Sequence, residues 1–147
     1  MSSKIPRELS DYFRESDFLE YPFVSIPQSF LDSRGEIKNL ADGVIGDVAL
    51  ITSNTGAVRA NHYHQNDWHL CYLLSGRMKY FWSENLDDQQ FESTEVDGGG
   101  MVFTPMKTPH KIEFLKNSVF LSISKLSRIS ERYDEDTFRL DDNHFRA

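Results

Sequence analysis

Short apolar and β-branched segments recur through the middle of the chain, and turn residues separate them. The segments that fit strands are 36–40, 46–53, 57–64, 68–74, 77–82, 91–96, 101–104, 110–115 and 118–124. Turn sequences such as Asn54-Thr55-Gly56 stand between them. Many short strands at close spacing, with almost no helical periodicity, are typical of an antiparallel sandwich or barrel. The chain is therefore predicted to be all-β.

The two ends differ from this middle. Apolar residues between Ile5 and Phe13 recur at helical spacing, which predicts a short amphipathic helix in an appendage over 1–20. The chain turns polar and acidic near its other end, and 128–147 is predicted to be a tail on the surface. Between them, 21–127 forms the predicted barrel, and no repeat or linker divides it.

Composition narrows the possible functions. The chain has 147 residues, which suits one domain, and its 13% aromatic content excludes disorder for most of it. A net charge of −7 repels phosphate backbones and anionic lipid, so we expect neither nucleic acid nor membrane binding. The single cysteine, Cys71, cannot form an intrachain disulfide, and no signal peptide or bilayer-length apolar run is present. These features predict a soluble, cytoplasmic protein.

Four of the five histidines fall in two compact clusters. His62 and His64 lie two apart on a predicted strand, so both side chains share one face. His69 begins the next strand after a short turn, and His110 follows a proline-rich corner. Inward-pointing imidazoles from separate strands suit a divalent transition metal. From spacing alone, a metal or catalytic cluster and ordinary hydrogen-bonded histidines both stay open.

Two groups of glycine, histidine and proline match known motifs in spacing. The first group is Gly56, His62, His64, His69 and Gly76, and the second is Gly99, Pro105 and His110. In this respect the chain resembles the cupin superfamily across its central part. The resemblance implies a single jelly-roll β-barrel with a metal or substrate site in its mouth.

The chain departs from the cupin pattern at three motif positions. His69 stands where cupins usually carry glutamate. In the second motif, Lys107 stands in place of glycine and Phe114 in place of the frequent asparagine. The ligand set that the resemblance implies is then His62, His64, His69 and His110. Four neutral imidazoles favour softer ions over hard ones, and the candidates are zinc, iron, nickel and manganese.

A narrower resemblance concerns sugar chemistry. Asp32-Ser33-Arg34-Gly35 is similar to the D-x-R-G segment of dTDP-4-dehydrorhamnose 3,5-epimerases and dTDP-sugar 3,4-ketoisomerases. The strand from Arg59 to His64 is similar to their R-G-x-H strand, with Ala60 in place of glycine. This implies that His62 is a base that removes a proton beside a ketone, with His64 as a second histidine. It also implies that Arg59 holds nucleotide-sugar phosphates.

Further residues are candidates for substrate binding. Besides Arg59, they are Arg34, Lys107 and Tyr72, which could hold an anion or stack on a ring. Solvated surface cations and barrel packing are the alternatives for these residues. No tyrosine between Tyr80 and Tyr133 matches the acid tyrosine of the epimerases.

The sequence thus predicts a metal-binding cupin that isomerises or epimerises a sugar or sugar nucleotide, with His62 and His64 exchanging protons. A mononuclear metal-dependent oxygenase and a non-catalytic cupin that binds a small molecule are the alternatives. We also expect a homodimer through sheet edges or the N-terminal segment, because edge strands invite pairing.

Overall fold

The computed structural model describes residues 5–86, 90–129 and 131–146, which fold mainly into antiparallel strands. The strands are β1 (Gln28–Asp32), β2 (Gly35–Asn39), β3 (Asp47–Ser53), β4 (Val58–His64), β5 (His69–Ser75), β6 (Arg77–Trp82), β7 (Glu92–Asp97), β8 (Met101–Thr104), β9 (His110–Phe114), β10 (Ser118–Ser124) and β11 (Thr137–Arg139). One short helix, α1, covers Glu131–Glu135. The all-β prediction is confirmed.

The strands form two facing sheets and a separate hairpin. One sheet has the order β3-β10-β5-β8, and the other has the order β11-β4-β9-β6-β7. Strands β1 and β2 pair only with each other. Sequence neighbours such as β4 and β5 lie in opposite sheets, so the chain crosses repeatedly between the two layers. This arrangement is a jelly roll, and it places β4, β5 and β9 around one interior.

Apolar side chains fill two regions. Inside the barrel, Leu73, Met78, Tyr80 and Phe114 are each at most 1% exposed. A second cluster lies between the N-terminal segment and the barrel, and its fully buried members include Leu9, Trp68 and Leu70. None of the helices in the described ranges is long and apolar enough to cross a membrane.

The N-terminal segment is packed, but it does not form the predicted amphipathic helix. Two 3-10 turns, Arg7–Leu9 and Glu15–Asp17, replace it. Leu9 and Phe13 are buried one helical turn apart, and the Phe13 N–H donates to the Leu9 carbonyl over 3.0 Å. A single turn is enough to direct both side chains into the core, so the apolar spacing does not require a longer helix. Residues 1–4 of the predicted appendage lie outside the described ranges.

The C-terminal segment does more than cover the surface. Strand β11 extends one sheet by pairing with β4, and Thr137 stands opposite His64. Phe145 is 4% exposed, and its ring lies 6.1 Å from that of Phe81. The acidic composition suggested a solvated tail, but a few apolar and small residues within this segment are enough to pack it against the barrel. The division of the chain at residues 20 and 127 stays a prediction.

Candidate functional site

Four imidazoles meet inside the barrel. The ring centroid of His62 lies 4.5 Å from that of His64 and 4.8 Å from that of His110. The ring of His69 stacks on His64 with centroids 4.7 Å apart. His64 and His110 are 1% and 5% exposed. The four histidines therefore lie close together, as their strand positions predicted.

A distortion in β4 places His62. Ala60 and Asn61 both have left-handed backbone, with φ of 65° and 58°, and the register with β9 shifts between Ala60 and His62. After this bulge His62 stands directly opposite His110. Lys107 also has a φ of 65°. Glycine adopts this conformation without strain, which gives a physical reason why related motifs have glycine where this chain has Ala60 and Lys107.

Three of the histidines form a group suited to a metal. One nitrogen each of His62, His64 and His110 lies within 4.8 Å of the others. The Nε2 atom of His64 is buried and has no hydrogen-bond partner. Its Nδ1 lies 3.4 Å from the Thr137 hydroxyl, which itself donates to the Tyr133 carbonyl over 2.7 Å. That hydroxyl can therefore accept from Nδ1–H, which leaves the Nε2 lone pair of His64 free for a ligand.

His110 is held in the same tautomer. Its Nδ1–H donates to the Thr108 carbonyl over 2.9 Å, so Nε2 carries the lone pair. Burial lowers the pKa of His110 to about 3 and the pKa of His64 to about 4. Burial, followed by the charge of His110, also lowers the pKa of His62. All three rings are neutral at pH 7, which is the state that binds a metal.

His69 has a different environment from the other three. Its Nε2 lies 2.9 Å from Asp67 Oδ2, and its Nδ1 lies 3.3 Å from the Ser122 hydroxyl. Asp67 is fully buried, and its Oδ1 accepts the backbone N–H groups of Lys125 and Leu126. Burial alone would raise the pKa of Asp67, but the hydrogen bond from His69 and its charge help to lower it. Asp67 is thus a fixed anion that orients His69.

The same contacts bear on the predicted four-histidine ligand set. Both ring nitrogens of His69 have partners, whereas Nε2 of His64 has none. His64, Asp67 and His69 form a second group whose ligand atoms also lie within 4.8 Å of one another. His69 could join a metal only through Nδ1, and only by giving up its contact with the Ser122 hydroxyl. The geometry therefore separates a three-histidine group from a histidine–aspartate pair.

A cavity of about 150 Å³ opens beside these histidines. His62, His69 and His110 line it, whereas His64 lies behind them. The polar lining also includes Tyr80, Thr104, Ser122, Arg59, Arg128 and Tyr133, and the apolar lining includes Ile51, Ile112 and Phe120. The thiol of Cys71 also faces the cavity, and burial raises its pKa to about 12. It is therefore a neutral part of the wall.

Of the four residues predicted to bind substrate, Arg59 lines the cavity. Its Nε–H donates to the Ser53 hydroxyl over 2.7 Å. Arg34 lies in the turn between β1 and β2, where its 84% exposed side chain pairs with Asp32. The backbone N–H of exposed Lys107 donates to the His64 carbonyl. Tyr72 packs against the second apolar cluster. The structure does not place Arg34, Lys107 or Tyr72 in the cavity lining.

Two cavity residues, Arg128 and Tyr133, come from the segment that was predicted to be a surface tail. The Tyr133 ring lies 5.6 Å from that of His64 and 6.3 Å from that of His69. The sequence has no motif around these residues. Their place depends on how the chain folds back after β10, which local patterns do not reveal.

Comparisons with known proteins agree with this architecture. No protein-family model matches the chain, and the search of curated proteins finds no match either. Among solved structures, the dTDP-4-dehydrorhamnose 3,5-epimerase from Sulfolobus tokodaii matches with a TM-score of 0.64 and 14% identity, over 82% of this chain and 77% of that one. The fold is that of the cupin jelly-roll proteins.

Other matching structures include a second class of sugar enzyme. The QdtA 3,4-ketoisomerase from Thermoanaerobacterium thermosaccharolyticum, in complex with TDP, has a TM-score of 0.61 and 20% identity, over 84% of this chain and 87% of that one. The capsular polysaccharide assembling protein CapF from Staphylococcus aureus has a TM-score of 0.58 and 23% identity. That match covers 88% of this chain but 37% of CapF. At these identities the likeness concerns the fold.

Proposed function

We propose that this cupin binds one divalent transition metal and isomerises or epimerises a nucleotide-linked keto-sugar. The observation that carries the proposal is the buried, unpartnered Nε2 of His64 beside His62 and His110. The substrate class is supported by matching structures that are named as dTDP-sugar epimerases and as a TDP-bound ketoisomerase. We also propose a cytoplasmic location, in agreement with the single free Cys71.

The three-histidine group would hold the metal, and zinc, iron, nickel and manganese are the candidates. When bound, the metal supplies a Lewis acid that polarises a substrate carbonyl. A nitrogen that binds a metal cannot also take a proton, so the two roles predicted for His62 and His64 compete. His64 does not line the cavity, and the role of ligand fits it better.

Proton transfer then falls to residues that line the cavity without belonging to the metal group. His69 is oriented by Asp67 and would remove the proton from the carbon beside the ketone. Tyr133 lies on the same cavity, where burial raises the pKa of its phenol and keeps it protonated at neutral pH. Tyr133 would return a proton to the carbon. Arg59 would hold the phosphates, as the sugar-enzyme resemblance implies.

The first prediction is proton exchange in heavy water. With dTDP-4-keto-L-rhamnose, a ligand seen in one matching epimerase structure, we expect deuterium to enter a carbon beside the ketone. Proton NMR would follow the loss of that hydrogen signal. Replacing His69 with asparagine should slow the exchange at least ~100-fold, since this is the usual contribution of a positioned general base. Tyr133→Phe should slow it by a similar factor.

Matched controls lie elsewhere in the chain. His144→Asn and Tyr63→Phe change residues that do not line the cavity, so we expect normal exchange from both. Exchange that persists after chelation would indicate a metal-free mechanism with His62 as the base. Absence of exchange with both metal-loaded and metal-free protein would contradict the proposal. Oxygen consumption with a bound metal would instead favour the oxygenase alternative.

We further propose that the cupin forms a homodimer through the hairpin of β1 and β2. Phe30 and Ile37 stand opposite each other on one face of this hairpin and are 58% and 67% exposed. Such apolar exposure on an unsupported pair of strands favours burial against another chain.

Sedimentation at micromolar concentration would test this assembly. We expect a dimer for the original chain and a monomer for Ile37→Asp, because the charge would be buried in the interface. Leu31→Asp is the matched control, since Leu31 is 75% exposed and points to the other face of the hairpin. A monomeric original chain would remove the proposal.

A further inference from the structure

Arg128 is a cavity residue with an unusual set of contacts. Its Nη2 donates to the Ser122 hydroxyl over 3.0 Å, and its Nη1 donates to the Tyr133 hydroxyl over 3.3 Å. The guanidinium also lies over the Tyr133 ring, 5.2 Å from its centroid. Its Nε is 3.6 Å from Asp47 Oδ1, too far for a hydrogen bond, and is buried without a partner. The head group is thus fixed, while one hydrogen on each Nη has no partner among these contacts.

Two cationic side chains lie in the cavity lining, although the whole chain is negative. Arg59 and Arg128 both line it, and the lining residues in the described part of the chain include no aspartate or glutamate. The chain as a whole carries a net charge of −7. Two guanidinium groups without an acidic neighbour in the lining favour an anionic ligand.

The two arginines are anchored at different points along β10. Arg59 is held at Ser53, which stands opposite Ser118 on β10, whereas Arg128 is held at Ser122 on the same strand. The two anchor points are therefore four residues apart on one face, which is about 13 Å along a strand. This separation of the anchors favours two separate anionic groups over one small anion. A ligand that uses both arginines carries two separate negative groups.

We propose that Arg128 binds a carboxylate on the sugar ring of the substrate, so that the substrate is a nucleotide-linked sugar acid. The inference rests on the proposed function for its nucleotide part, because Arg59 would hold the diphosphate. The ring would then lie between the two arginines, with its carboxylate on the side of Arg128, Ser122 and Tyr133. A neutral 6-deoxy sugar would leave Arg128 without a partner and would bind more weakly.

The size of the cavity favours a carboxylate over a second phosphate. At about 150 Å³ it is smaller than the 300–1,000 Å³ of most small-molecule sites, so it can admit little more than one ring with a small substituent. The guanidinium fork can bind a carboxylate through two hydrogen bonds. The hydroxyl of Ser122, already fixed by Arg128, would complete the polar surroundings.

Calorimetric titration of chelator-treated protein would test the proposal, because chelation removes any metal that could itself bind a carboxylate. The probes are UDP-glucuronate against UDP-glucose, and free glucuronate against free glucose. We expect each acid to bind at least ~10-fold more tightly than its neutral partner, because the neutral sugar lacks one hydrogen bond to a charged group. Arg128→Met should bring both ratios close to one.

Two matched variants separate recognition from stability. Arg59→Met should weaken both UDP-sugars alike and leave the acid-to-neutral ratio unchanged. Asp47→Asn removes the acidic neighbour of Arg128 outside the cavity, and it should also leave the ratio unchanged. If Arg128 only stabilised the fold, Arg128→Met would lower the melting temperature and change affinity for acid and neutral sugar equally.

Other outcomes would overturn the inference. Equal binding of acid and neutral sugars by the original chain would do so, as would a preference that survives in Arg128→Met. Inorganic phosphate binding as tightly as glucuronate would show a general anion site and no sugar-acid site. Binding of free glucuronate that depends on Arg128, with no gain from the UDP group, would support the carboxylate site while contradicting the nucleotide part of the proposed function.

Discussion

Replacing His110 with alanine is expected to abolish stoichiometric metal binding. The original chain, purified without affinity-tag metal, should carry about one transition ion, which elemental analysis measures. Loss of one of three imidazole ligands should weaken zinc binding by at least ~1,000-fold, well beyond the 10–100-fold effect of residues that only orient a ligand. Competition with a chromophoric chelator gives the affinity. Near-ultraviolet circular dichroism would verify that the variant is folded.

The informative control for the metal site is His69→Ala. Both nitrogens of His69 have partners, so its loss should weaken zinc binding by no more than ~10-fold. His144→Ala, outside the cavity, should have no effect. If His69→Ala lost the metal as completely as His110→Ala, the four-histidine set predicted from the sequence would be right and the three-histidine group would be wrong.

The parts of the fold that the sequence predicted are those with local signals. Turn residues separate the barrel strands, and side chains two apart on a strand share a face, which is enough to bring His62 and His64 together. His110 was placed by motif spacing, and it stands opposite His62 as a strand partner. Strand periodicity and motif spacing therefore predict much of the histidine cluster.

Strand β10 shows where the same logic fails. In its sequence Val119, Leu121 and Ile123 alternate with serines and Phe120. In the structure Ser122 and Ser124 are 3% and 0% exposed, and Ser122 faces the cavity. Both faces of this strand are covered, one by the barrel interior and the other in part by the N-terminal segment. Alternation then distinguishes the two faces but not which of them is inside.

The remaining site features depend on contacts between residues far apart in the chain. Asp67 reads as a turn residue, yet backbone N–H groups from Lys125 and Leu126 hold it beneath His69. Arg128 and Tyr133 reach the cavity because the chain folds back after β10 and adds β11 beside β4. No period or short motif encodes such a return. These residues became visible as a site only when the fold was known.

Acid is expected to destabilise the metal-free protein well before its carboxylates protonate. Burial lowers the pKa of His64 to about 4 and of His110 to about 3, whereas both are near 6.5 in an unfolded chain. The unfolded state therefore binds protons below pH 6.5 that the folded state does not accept. The resulting stability is complete above pH 6.5 and decreases as the pH falls towards 4. As the pH falls from 6.5 to 5, each of these histidines should lower the free energy of unfolding by about 2 kcal/mol.

Urea unfolding at pH 7 and pH 5, with a chelator present, would measure this loss. His110→Asn should reduce the pH-dependent part by about a third, because burial lowers the pKa values of His62 and His64 as well. The lowered pKa of Asp67 does not contribute in this interval, because an aspartate in the unfolded chain is also ionised above pH 5. The loss between these two pH values therefore reports on the buried imidazoles. Equal stability at pH 7 and pH 5 would mean that they accept protons as readily inside the barrel as in water, which would contradict their burial as neutral rings.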